Sequence, residues 1–179
     1  MRLIALALLL ALGFTPLSAR AEVVTAAPGA FLIQAEADVA STPAQVWRRL
    51  TRVQDWWGGD HTYSRNAGNL SLDLRAGGCW CERWGRNAVE HGRVVLMMER
   101  EGVRTLRVNA ALGPLQEMGA SGVLTFTVEP QASGAKLTMT YRVAGDAALG
   151  LDQIAPIVDT VLMEQFGRLN RLSASGSPD

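Results

Sequence analysis

Lysine is almost missing from this chain. Lys136 is the only one in 179 residues, and histidine, cysteine and tyrosine occur twice each. A single amine in an expected turn leaves Schiff-base chemistry poorly provided for. Charge of one sign is also lacking: 17 basic residues balance 17 acidic ones. A neutral chain with no basic stripe gives no reason to invoke nucleic acid or an anionic membrane. Beyond the first residues no apolar run approaches the ~20 residues that cross a bilayer. No internal repeat is visible, and no standard nucleophile–base or metal signature appears.

The N-terminus reads as a processing signal. Met1-Arg2 is a short positive start, Leu3 to Phe14 an unbroken apolar run, and Ala19-Arg20-Ala21 an Ala-x-Ala cleavage site. Residues 1–21 are therefore expected to leave as a signal peptide, with Glu22 the new terminus and an exported, periplasmic or secreted, mature chain. Arg2 and Arg20 leave with it and no acid does, so the count becomes 15 basic against 17 acidic. Residues 22–30 read as a loose leader, 31–174 as one domain, and 175–179 as a disordered polar tail.

Within the domain, Thr42-Pro43-Ala44-Gln45 specifies a helix start. Thr42 serves as N-cap, Pro43 occupies the first helical position, and Gln45 completes a capping box. Trp56-Trp57 follow in a short helix or turn. Period-two alternation marks strands at 31–39, 70–74, 79–84, 89–98, 103–112, 123–129 and 135–143. A final helix over Asp152–Leu172 carries Leu151, Ile154, Val158, Val161, Leu162, Phe166 and Leu169 on one stripe. Pro156 is tolerable only in a first turn, which argues for a somewhat later start.

These features resemble the START-like superfamily (SRPBCC), which spans polyketide cyclases/dehydrases, lipid-transport proteins and activators of a chaperone ATPase. The Ser-Thr-Pro-Ala-Gln-Val-Trp helix start, the Trp56-Trp57 pair, Gly77-Gly78, the strand at 138–143 and the last helix carry the likeness, over roughly Phe31 to Ala174. The resemblance implies an α+β helix-grip fold: a curved antiparallel sheet wrapped around the long C-terminal helix, with a ligand cavity between them. It implies an apolar or amphipathic ligand, lipid-like or aromatic, with no cofactor. The chaperone-partner role fits an exported chain least. A cyclase, dehydratase or hydrolase is the alternative to a carrier.

Several residues could carry chemistry. A turn at residues 85–88 places Glu82 opposite His91, flanked by Trp80 and Trp84: a general base held in one tautomer, or an ordinary cross-strand pair. Trp57, His61, Tyr63 and Phe166 complete the set expected to line a ligand. Cys79 and Cys81 point to one face about 6.6 Å apart at Cα in a regular strand, near the outer limit for a bridge. That spacing argues for free thiols or a strained bridge, and buried small hydrophobes are a better expectation than a metal or redox role. A metal site at Cys79 and Cys81 would need His61 and His91, and His91 falls on the other face. Arg75, Arg93, Arg107 and Arg142 lie in or beside strands, and any inward one could hold an acidic ligand group.

Overall fold

The computed structural model describes residues 20–179, so the expected signal peptide lies outside the described residues except for Arg20 and Ala21. Eight strands form one antiparallel sheet: β1 (Arg20–Ala27), β2 (Ala30–Val39), β3 (Leu70–Leu72), β4 (Cys79–Trp84), β5 (Asn87–Arg100), β6 (Val103–Asn109), β7 (Ser121–Pro130) and β8 (Ala135–Ala144). Their order is β1-β2-β8-β7-β6-β5-β4-β3. Helix α1 (Pro43–Leu50) and the single turn α2 (Pro114–Glu117) interrupt the strands, and α3 (Leu151–Ser175) closes the chain. This is the α+β helix-grip architecture. Among the described residues no helix is long and apolar enough to cross a membrane.

The helix start forms as its residues dictate. Thr42 accepts from the Gln45 backbone N–H, and the Gln45 side chain accepts from the Thr42 N–H. Strict alternation in β2 and β8 buries Phe31, Ile33, Leu137, Met139, Tyr141 and Val143 on one face. Leu151, Leu162, Phe166 and Leu169 of α3 are buried with them. Phe166 is thus a core residue, 1% exposed.

Three expectations need correction. Residues 22–27, read as loose, belong to β1, which pairs along β2 from Arg20↔Glu36 to Ala27↔Ala30. The backbone hydrogen bonds of an edge position order a segment that has little hydrophobic pattern of its own. Helix α3 begins at Leu151, earlier than Pro156 suggested: fully buried Leu151 donates its N–H to the Pro28 carbonyl at 2.8 Å, and this tertiary anchor overrides the proline. The tail turns back on the helix, with Arg171 Nε donating to the Pro178 carbonyl at 2.8 Å and Arg168 pairing with Asp179.

The β4–β5 hairpin is tighter than expected. Trp84 pairs with Asn87 and Glu82 with Val89, and a bulge between Trp80 and Cys81 leaves His91 as the extra residue before Trp80↔Gly92. Gly92 is required there: a Cβ would stand 2.5 Å from the Asn109 carbonyl oxygen and 2.8 Å from both Ala110 Cβ and Val108 Cγ1. Backbone cannot yield as a flexible side chain does. Gly92→Ala is therefore expected to cost about 2 kcal/mol by overpacking, read as a lowered urea midpoint.

Candidate functional site

Glu82 sits at the centre of the site. Its carboxylate is wholly buried yet fully partnered. One oxygen accepts the Ser64 backbone N–H at 2.6 Å, and the other accepts the Tyr63 N–H at 3.1 Å and the His91 Nε2 at 2.9 Å. The loop offers those amides because Thr62 folds it. The Thr62 hydroxyl donates to the Gly59 carbonyl at 2.7 Å and accepts from the Asn66 N–H at 3.0 Å.

Burial alone would push the Glu82 carboxyl up, but hydrogen bonds from Ser64, Tyr63 and His91 outweigh it and hold the group below its ordinary value. Burial also pushes His91 down, and the Glu82 carboxylate only partly restores it. The pair at neutral pH is thus carboxylate and neutral imidazole. Since a carboxylate only accepts, the proton lies on Nε2 by inference from the network. Nδ1 is then left as a lone-pair acceptor, with no hydrogen-bond partner among the described residues.

The sign of the pH response follows. The unfolded chain takes up a proton near the ordinary histidine value of 6.5 that folded His91 refuses, so stability is full above that pH and falls below it. A second loss begins below 4.5, where unfolded Glu82 protonates and folded Glu82 resists. Urea midpoints measured from pH 8 to pH 4 are expected to show both phases, and His91→Gln to lack the first. A flat profile between pH 7 and pH 5 would contradict this assignment.

Aromatic rings surround the pair. Trp80, 3% exposed, meets Trp57 edge to face at 5.0 Å and lies 6.1 Å from the His91 ring. Tyr63, 54% exposed, covers His91 at 5.9 Å. Helix α3 holds the loop from the other side. Gln165 accepts the Gly58 N–H at 2.6 Å, Glu164 meets His61 Nε2 at 3.0 Å, and Arg168 Nε donates to the Trp56 carbonyl at 2.8 Å. Trp80 Nε1 and Gln165 Nε2 are buried donors without a protein partner among the described residues. Behind Trp80, toward Trp56, Leu106 and Phe126, lies a void of about 10 Å³, room for about one water.

The structure thus gathers Glu82, His91, Trp80, Trp57 and Tyr63. His61 stands apart in the loop, tied to Glu164 of α3. Trp84 lies half-buried beside the hairpin turn and forms none of these aromatic contacts, and Phe166 belongs to the core. Of the two states that the cysteine spacing left open, the structure has the bridge. Cys79 and Cys81 form a disulfide with Cα atoms 5.3 Å apart. That is shorter than the regular-strand spacing of about 6.6 Å, and with both sulfurs bridged no thiolate remains for a metal. Arg75, Arg93, Arg107 and Arg142 are all exposed, so none of the four is the inward arginine that could hold an acidic ligand group. Gln165 was missed, although a polar residue beside Phe166 and three from Leu162 interrupts an apolar stripe and is legible as a signal.

No protein-family model matches the chain, and no curated protein matches it. Solved structures do. A conserved protein of unknown function from Enterococcus faecalis superposes with TM-score 0.55 at 13% identity, covering 88% of this chain and 78% of that one. CalU16 from Micromonospora echinospora gives 0.52 at 15%, covering 90% and 86%. Truncated norcoclaurine synthase from Thalictrum flavum gives 0.52 at 11%, covering 89% and 97%. At these identities the likeness is one of fold, and the fold of this chain is the α+β helix-grip architecture that those proteins share.

Proposed function

We propose that this protein binds a small apolar or amphipathic molecule, aromatic or lipid-like, that carries a hydrogen-bond acceptor. The ligand lies against Trp57, Trp80, His91 and Tyr63. The observation that carries this reading is the Trp80 indole N–H: a buried donor almost always finds a partner, and this one has none among the described residues. The exposed Tyr63 ring, on a loop held by hydrogen bonds, supplies an apolar cover over a polar pair. Because the void behind Trp80 is small, binding goes with displacement of the loop that bears Tyr63. Delipidated protein titrated with fatty acids, quinones, sterols and aromatic polyketides is expected to show quenched tryptophan fluorescence with at least one class. Trp80→Phe should weaken that binding about tenfold, the loss of one buried hydrogen bond. No binding across the set sinks the proposal.

A second reading is favoured by the tautomer of His91. A neutral imidazole oriented by a carboxylate, with Nδ1 free to accept, is the arrangement of a general base. In that case the protein is a cyclase, dehydratase or hydrolase acting on such a ligand. Norcoclaurine synthase, a synthase by name, is built on the same fold, though fold does not carry function. Turnover should then rise with pH through a value below 6.5 and vanish in His91→Ala. Full activity in that variant excludes His91 as base.

Export completes the proposal. It is supported by the Ala-x-Ala site and by the disulfide, a bond that persists in oxidising compartments. Cleavage after Ala21 leaves most of β1 in place. N-terminal sequencing of protein from an exporting host should begin at Glu22.

A further inference from the structure

Behind the aromatic site, on the opposite face of the hairpin, lies a groove of about 670 Å³ that the ligand-binding reading does not use. Its floor is the Cys79–Cys81 disulfide, and Arg75, Arg83 and Arg93 line it. Arg75 is paired with Asp73 at 2.7 Å, and Arg93 is paired with Glu90. Arg83 has no carboxylate partner among the described residues. Its guanidinium instead donates to Cys81 Sγ at 3.3 Å. Cys81 is buried and Cys79 is half-buried, so Cys79 is the more accessible residue of the two.

We propose that this groove is a thiol–disulfide exchange site for small thiol compounds of the glutathione class. The incoming thiolate attacks the more accessible Cys79 Sγ. The Sγ–Sγ bond breaks, its electron pair passes to Cys81 Sγ, and the departing thiolate is stabilised by Arg83. A second thiolate then attacks the external sulfur of the mixed disulfide and releases the Cys79 thiolate. Two external thiols are oxidised to one disulfide, the protein disulfide is reduced to two thiols, and the two thiol protons end on Cys79 and Cys81. Run backwards, the dithiol reduces an external disulfide. A bridge between residues two apart closes a very short loop and removes little chain entropy. Stabilising the fold is therefore a weak reason for this bond to exist.

The bond also lies back to back with the aromatic site. Trp80 stands between the two cysteines with its ring on the other face, and Glu82 follows Cys81. Reduction frees the strand to lengthen from 5.3 Å toward the regular spacing of about 6.6 Å. Tryptophan fluorescence should therefore report the exchange.

The test uses the full mature chain, oxidised and folded, with millimolar reduced glutathione. Samples are acid-quenched, alkylated and mapped by peptide mass. The expected result is a glutathione adduct on Cys79, then the reduced pair, in folded protein, with a fluorescence change of the same rate. Arg83→Gln should slow the first step about tenfold through its poorer leaving thiolate. Arg75→Gln, in the same groove but paired with Asp73, should slow it much less. Circular dichroism confirms that both exposed-site variants are folded. Reduction only in denaturant, an adduct on Cys81, or equal slowing by the two arginine variants overturns the proposal.

Discussion

Glu82→Ala is expected to cost about 3–5 kcal/mol of stability, far more than its single hydrogen bond to His91 would suggest. The carboxylate is wholly buried and gathers three donors: the backbone amides of Tyr63 and Ser64, and His91 Nε2. Alanine leaves all three without an acceptor. Each orphaned donor costs about 1–3 kcal/mol where water cannot reach it. Part of that cost is relieved by the loop moving outward, which keeps the sum below the simple total. Glu82→Gln keeps one acceptor oxygen but turns an amide toward a donor, and should cost about 1–2 kcal/mol. Urea unfolding of the three proteins at pH 7 decides the matter. A loss under 1 kcal/mol for Glu82→Ala would mean that the loop is not held through this carboxylate.

Trp56→Ala should be comparably severe, at about 3–5 kcal/mol, for a different reason. Trp56 is 2% exposed, meets Phe126 of β7 at 6.1 Å and Trp57 at 5.5 Å, and donates its indole N–H to the Leu50 carbonyl at 3.0 Å. Removing the ring loses its transfer free energy and leaves a cavity between α1 and the sheet. It also orphans the carbonyl that ends α1. Trp56→Phe keeps most of the packing and should lose about 1 kcal/mol, the value of one net hydrogen bond. The consequence reaches the site, since Trp57 leans on Trp56 and Trp80 on Trp57. Ligand affinity in Trp56→Ala is therefore expected to fall even where the protein stays folded, checked by the same fluorescence titration.

Much of the fold was legible because its causes are local. The capping residues Thr42 and Gln45 act within four positions of each other, and the alternation in β2 and β8 is a property of consecutive side chains. The pairing of Glu82 with His91 was also foreseen, although the chain reaches it by another route. The expected register put Glu82 opposite His91, whereas the structure puts it opposite Val89. A slip of two residues preserves which face each side chain takes, and the bulge at His91 then brings the imidazole back to within 2.9 Å. A slip of one would have separated them.

The cysteines show where such reasoning stops. Spacing in an ideal strand puts the pair near the outer limit for a bridge, whereas the structure holds the two Cα atoms at 5.3 Å beside the bulge at His91. Gly92, next to that bulge, packs against Val108, Asn109 and Ala110 rather than along its own hairpin, so no local pattern announces it. Gln165 stands out locally as a polar break in an apolar stripe, but its partner Gly58 is 107 residues away and only the fold brings the two together. By itself, then, the sequence determined the start of α1, the strand phases and which residues of the hairpin share a face, because each follows from neighbours along the chain. Tertiary structure alone decided the disulfide, the edge strand β1, the outward arginines and the loop amides that keep Glu82 ionised. Those depend on which backbone and side-chain groups meet across the fold, and on what burial does to their charge.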